Sequence, residues 1–99
     1  TISAGVTTNQ TIDTTAGRFF EVFVNADVEL DFTGAQNGTL KRITIVTQTA
    51  DIRNITYKID GVTQGERPIG DGSTTNSKQV YELYSFETQK YIAAYDVVS

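Results

Sequence analysis

At 99 residues the chain has one domain's length, enough for a single core with little margin. Twelve acidic residues against eight basic ones give a net charge of −4, and only Lys41 and Arg42 are adjacent, so the clustered cations that nucleic-acid phosphates demand are missing. There is no cysteine and no histidine, which removes disulfides, thiolate chemistry, the usual general base and the commonest metal ligand; no cofactor is expected.

The 38% apolar content is sufficient for folding, and no apolar run approaches the roughly 20 residues of a membrane-spanning helix. Residues 1–17 are rich in Thr, Ser, Asn and Gly, with Ile2, Val6 and Ile12 as their only large apolar side chains. They read as a polar arm carrying one edge strand near residues 11–15, or as an arm that orders against a neighbouring subunit by strand addition. Residues 18–99 read as a single β-domain.

Within it, residues 18–25 form a strand with Phe20, Val22 and Val24 on one face and Phe19, Glu21 and Phe23 on the other. Aromatics on both faces imply a strand covered on both sides or lying at a subunit contact. Asn25-Ala26-Asp27 turns the chain into the clearest alternation present: Val28, Leu30 and Phe32 inward, Glu29 and Asp31 in water. Asn37-Gly38 supplies hairpin-type turn residues. A strand at 40–47 then sets Ile43, Ile45 and Thr47 opposite Arg42, Thr44 and Val46; another sets Ile55, Tyr57 and Ile59 opposite Thr56 and Lys58, closed by Asp60-Gly61.

Residues 64–77 are expected to be the one long irregular loop, holding the only proline, Pro68, and the candidate contact residues Arg67 and Asp71. A last hairpin follows, turning at residues 87–89. Val80, Glu82, Tyr84 and Phe86 share one face of its first strand and Tyr81, Leu83 and Ser85 the other. On its second strand Tyr91, Ala93, Tyr95 and Val97 oppose Ile92, Ala94 and Asp96. No stretch has helical periodicity with a start cap. Seven to eight short strands with frequent turn signals predict an all-β fold, a small antiparallel β-sandwich or jelly-roll-like barrel.

Catalytic constellations are weak. Glu29 and Asp31 share a strand face, as glycosidase carboxylates could, but solvated acids on an exposed face explain them more simply. Gly70-Asp71-Gly72-Ser73 lacks the alternating acidic ligands of a calcium loop. The chain is expected not to be an enzyme. The better candidates are Tyr81, Tyr91 and Tyr95 with Tyr84, as an interface hot spot or a sugar-stacking platform, set against ordinary cross-strand packing.

The order Phe20-Glu-Val-Phe-Val-Asn-Ala-Asp-Val-Glu-Leu-Asp-Phe-Thr-Gly34, then Asn37-Gly38, then Ile43-Thr-Ile-Val-Thr-Gln48, resembles a small β-domain of tailed-bacteriophage virion proteins. In that family a strand reading dVtLtF runs into a glycine-rich turn and a strand ending in Thr-Gln. Ile55-Thr-Tyr57 is similar to the family's following strand, with tyrosine for tryptophan. Gly70 to Ser77 is similar to its Gly/Thr/Ser-rich loop, and Val80-Tyr-Glu-Leu-Tyr-Ser-Phe86 with Lys90-Tyr91 to its final hairpin. The likeness runs from about Thr11 to Tyr95; the chain departs from it in lacking tryptophan and in a shorter, proline-poor middle loop.

The resemblance implies a virion structural protein, a capsid decoration or accessory protein binding a repeating lattice as a multimer, with a trimer favoured. It equally allows a tail-fibre or receptor-binding tip that recognises a host surface glycan or protein. A short chain with a polar leading arm suits the decoration role, with the arm expected to make the contact to the lattice. Capsid or tail proteins are the implied partners and the virion surface the implied location, with no nucleic acid bound and no membrane span.

Overall fold

A computed structural model describes the backbone of residues 2–97 and the side chains of residues 7–97. Nine strands and a single 3-10 turn, Thr14–Ala16, make up the described chain: β1 (Ile2–Val6), β2 (Gln10–Asp13), β3 (Phe19–Val24), β4 (Val28–Thr33), β5 (Thr39–Thr47), β6 (Arg53–Ile59), β7 (Val62–Ile69), β8 (Ser77–Phe86) and β9 (Gln89–Val97). They form a five-stranded sheet ordered β1-β3-β5-β8-β9 and a four-stranded sheet ordered β2-β4-β6-β7. One core cluster draws on both sheets, with Val22, Ile43, Ile45 and Tyr81 from the first meeting Leu30, Phe32, Ile55 and Ile69 from the second.

The all-β, two-sheet architecture is as the alternation predicts; the sheets themselves are mixed rather than antiparallel throughout, and the strands number nine. From β1 to β6 the chain changes sheet at every step, so each strand returns parallel to the one two before it. A parallel pair needs a crossover, and here the crossover is a strand of the opposite sheet. Apolar residues stack in register along the coil: Ile12 beside Phe32 beside Ile59, and Val22 beside Ile45.

Asn37-Gly38 consequently closes no hairpin. Gly38, at φ +84, lies in a connection from one sheet to the other, and its N–H donates to the Ser85 carbonyl at 2.6 Å. The true hairpins are at Asp60-Gly61 (φ 47 and 83) and Glu87-Thr88 (φ 52 and 63). Positive φ at both central residues is the turn geometry that matches strand twist, and Glu87 and Thr88 occupy it against their steric preference. Replacing them by Asn-Gly should raise stability by about 0.5–1 kcal/mol, read as a higher denaturation midpoint at unchanged slope.

A second difference concerns residues 64–77. β7 runs through Gln64 and Pro68 to Ile69, leaving an irregular loop only from residue 70 to 76. β7 is an edge strand on which only Ile69 is fully buried, so the period-two apolar signal never develops. An edge also tolerates proline. The segment before Gly17 supplies the edge strands of both sheets, β1 and β2, and Ile12 is buried among Phe32, Val28 and the rest of the core.

Candidate functional site

The two outer faces of the sandwich differ sharply. On the four-stranded sheet, register sets Glu29 beside Thr56 beside Glu66, and Asp31 beside Lys58 beside Thr63. The polar groups there answer one another: Lys58 Nζ lies 3.2 Å from Glu29 Oε2, Asn9 Nδ2 donates to the same oxygen at 3.2 Å, and Asn54 N donates to Asp27 Oδ1 at 2.8 Å. A shallow open depression of about 280 Å³ over Asn9, Asp27, Glu29 and Glu66 is therefore a polar, acidic surface, three carboxylates beside the single ammonium of Lys58, with several of its hydrogen bonds already made among its own groups.

The outer face of the five-stranded sheet is rich in aromatic and aliphatic side chains, with Arg42, Glu82, Glu21 and Lys78 set among them. Leu40, Tyr84 and Tyr91 form one cross-strand row; Phe19, Arg42, Glu82 and Ala93 the next; then Glu21, Thr44, Val80 and Tyr95; then Phe23, Val46, Lys78 and Val97. Phe19 is 68% exposed, Tyr91 43% and Tyr95 42%. Tyr84 and Tyr91 stack with centroids 5.5 Å apart, and Phe86 meets Tyr91 edge-on at 5.4 Å. Arg18 and Arg42 each hold a guanidinium carbon 5.8 Å from the Phe19 ring centroid, and Arg42 also reaches Glu82 at 3.4 Å. The Glu82 carboxylate beside Tyr95 raises that phenol's pKa.

Strand alternation explains how these side chains come to share a surface. Each lies at odd parity to the buried Val22, Ile43, Ile45, Tyr81 and Leu83, so burying the core set turns the other outward, where Val46 and Val80 are covered by their neighbours and Phe19, Tyr91 and Tyr95 stay exposed. Several exposed aromatic rings on one sheet face, around the Arg42–Glu82 ion pair, are the kind of surface that marks a contact site.

Of the candidate contact residues, Phe19, Phe23, Tyr91 and Tyr95 are brought together on this face. Tyr81 and Ile12 are not: at 0% and 3% exposure they are core residues and offer a partner no surface. The side chains of Ile2 and Val6 lie outside the described residues. Arg67 is half-buried on β7 opposite Ile55, its Nε shielded and unbonded, and Asp71 is exposed in the loop after β7; neither reaches the aromatic face. Leu40, Phe86 and Val97 were not singled out from sequence, although their parity with Arg42, Glu82 and Tyr91 carries the signal.

Asp71 has a local task. Its Oδ1 accepts from Ser73 N at 2.8 Å and Thr74 N at 2.7 Å, and these donors hold its pKa down at about 2, from 3.8. A depressed carboxylate favours the folded loop fully above pH 3.8 and loses that preference as pH falls toward about 2. An NMR titration of the Asp71 carboxyl should find its midpoint near the lower value, with the Ser73 and Thr74 amides shifting in step; Asp71→Asn should abolish that titration.

No protein-family model, curated protein or solved structure matches the chain. What the aromatic face can do follows from its own geometry. Among the described residues no group of three or more acidic side chains is placed to hold a metal ion.

Proposed function

We propose that the chain is a non-enzymatic structural protein of a tailed-bacteriophage virion, a capsid decoration or accessory protein that seats on a repeating protein lattice through the outer face of its five-stranded sheet. The observation that carries this reading is the contrast between that face, with Phe19, Tyr91 and Tyr95 exposed, and the polar, largely acidic face opposite. The resemblance to virion β-domains supplies the setting, and the absence of histidine and cysteine from the sequence favours binding over chemistry.

Four strands spaced about 4.8 Å apart, read over some seven residues at about 3.3 Å each, span about 450 Å² per partner. A contact of about 900 Å² in total is at the weak end of specific interfaces. Occupancy on a particle then comes from many equivalent sites and from linked copies rather than from one tight contact.

Mass spectrometry of purified particles of the encoding phage, with electron microscopy of particles labelled for this chain, tests the proposal. Many copies arrayed over the head support it; a chain missing from the particle refutes it. A second reading, a tail-fibre tip recognising host glycan, draws on the stacked Tyr84–Tyr91 pair, whose exposed ring could receive a sugar face. Label confined to the tail, glycan-array binding, and loss of host adsorption in Tyr91→Ala would favour it.

A further inference from the structure

The edges of the two sheets are built differently. β7 closes the four-stranded sheet with an irregular register opposite Tyr57 and Lys58, a proline at 68, and charges at Glu66 and Arg67. Such features blunt an edge against further pairing. β9 closes the five-stranded sheet with neither the irregular register nor the proline, and with no charge at its centre. Its register with β8 is unbroken from Gln89 to Val97, it contains no proline, and its only charges are Lys90 and Asp96, near its two ends. Among the described residues no strand lies on its far side.

The tight turn at Glu87-Thr88 determines which backbone groups β9 leaves unpaired. In a two-residue hairpin the flanking pair, Phe86 and Gln89, is the hydrogen-bonded one. Alternation from Gln89 turns the N–H and C=O of Tyr91, Ala93 and Tyr95 toward β8, and those of Lys90, Ile92, Ala94 and Asp96 outward.

We infer that β9 is a self-pairing edge, joining two copies of the chain antiparallel about a two-fold axis through Ala93. In that register Ile92 faces Ala94 of the second copy and Lys90 faces its Asp96. Both are hydrogen-bonded pairs made from the outward groups, and about eight inter-strand bonds result. Tyr91 faces Tyr95 on the outer surface, a cross-strand aromatic pair on each side of the axis.

The charges select this register. Sliding by two residues either way sets Lys90 opposite Ala94, or Asp96 opposite Ile92, and loses both opposite-charge pairs along with part of the overlap. Lys90 already reaches Asp60 Oδ2 at 2.6 Å and Asp96 Oδ1 accepts from Gln79 at 2.7 Å. The remaining ammonium hydrogens and the second carboxylate oxygen stay available to the other copy. The product is one continuous sheet made from two five-stranded sheets, with its two aromatic faces side by side.

The inference stands on the edge geometry alone and is tested in solution without any particle. It predicts a dimer, where the resemblance to virion domains implies a trimer. Because the chain has no cysteine, Ala93→Cys introduces a unique thiol at an exposed position. Across the axis the two Cα atoms of residue 93 are about 4.5 Å apart, within disulfide range, whereas the thiols of Gln89→Cys lie about 27 Å from each other. Sedimentation of the native chain at about 100 µM should give a dimer mass, the concentration being set for a contact of modest area. Under mild oxidation Ala93→Cys should cross-link at least about tenfold faster than Gln89→Cys, the separation between an in-range and an out-of-range pair. A monomer or trimer mass, or equal cross-linking rates at the two positions, overturns the inference.

Discussion

Tyr81→Ala is expected to lower the unfolding free energy by about 3–5 kcal/mol, the usual cost of removing a buried aromatic ring. Domains of this size have about 5–15 kcal/mol in total, so the variant should lose a large share of its stability and melt at a clearly lower urea concentration. The ring is fully buried, edge-on to Tyr57 at 5.1 Å and tilted to Phe32 at 6.3 Å. Its hydroxyl donates to Gln79 Oε1 at 2.6 Å, and Gln79 Nε2 donates on to the Pro68 carbonyl and to Asp96 Oδ1 at 2.7 Å. One polar chain thus ties the buried centre of β8 to the two edge strands β7 and β9. Truncation opens a cavity and strands the Gln79 carbonyl together.

Tyr81→Phe separates the two effects. It keeps the ring and loses only the donor, for an expected cost of about 1–2 kcal/mol. Burial also pushes the Tyr81 phenol well above its ordinary 10.0, so the folded chain holds this proton where the unfolded chain releases it. The stability contributed at this site is complete below pH 10 and declines as pH rises further, a dependence that Tyr81→Phe should lack. Tyr91→Ala, one strand away on the exposed face, should cost no more than about 1 kcal/mol, the scale of a surface cross-strand pair. Urea melts of the three variants, followed by near-ultraviolet circular dichroism, measure all of this.

The reverse pattern is expected for docking. Phe19→Ser combined with Tyr91→Ser should reduce affinity for particles grown without the chain by about a thousandfold, two hot-spot truncations at about 2 kcal/mol each. The residues lie on β3 and β9, separated by two strands, so their losses should add. Phe19 is mostly in water and Tyr91 packs only on the surface rings of Tyr84 and Phe86, so the fold should be retained. Glu29→Ser with Lys58→Ser, which strips an ion pair from the opposite face, should leave affinity unchanged. Titration of labelled chain against those particles distinguishes the outcomes, and equal losses from either face would argue that neither is the docking surface.

Much of the fold is legible from period-two alternation. Val28 to Phe32 and Arg42 to Thr47 point as their apolar positions demand, and the final hairpin divides into its two faces as the sequence implies. Phe19 and Phe23, set against Phe20, announce a strand with something to cover on both sides.

What alternation does not carry is which strand pairs with which. A strand followed by Asn-Gly and another strand has the same local pattern whether it turns back in one sheet or crosses to the other, so the parallel coil of β1 to β6 was invisible. β7 was hidden for a related reason: an edge strand burying one residue in full leaves no periodic trace. The tyrosines were legible as a group but not individually. Tyr81 and Tyr84 differ by one step of parity, and only the packed core decides which step faces inward.

The most direct test of the docking claim is oxidative footprinting of intact particles of the encoding phage, compared residue by residue with the free chain. The account predicts that Phe19, Tyr91 and Tyr95 are strongly protected on the particle while Lys58 and Pro68 on the opposite face react as they do in solution. Unprotected rings on a particle that carries the chain, or protection confined to the polar face, would contradict it.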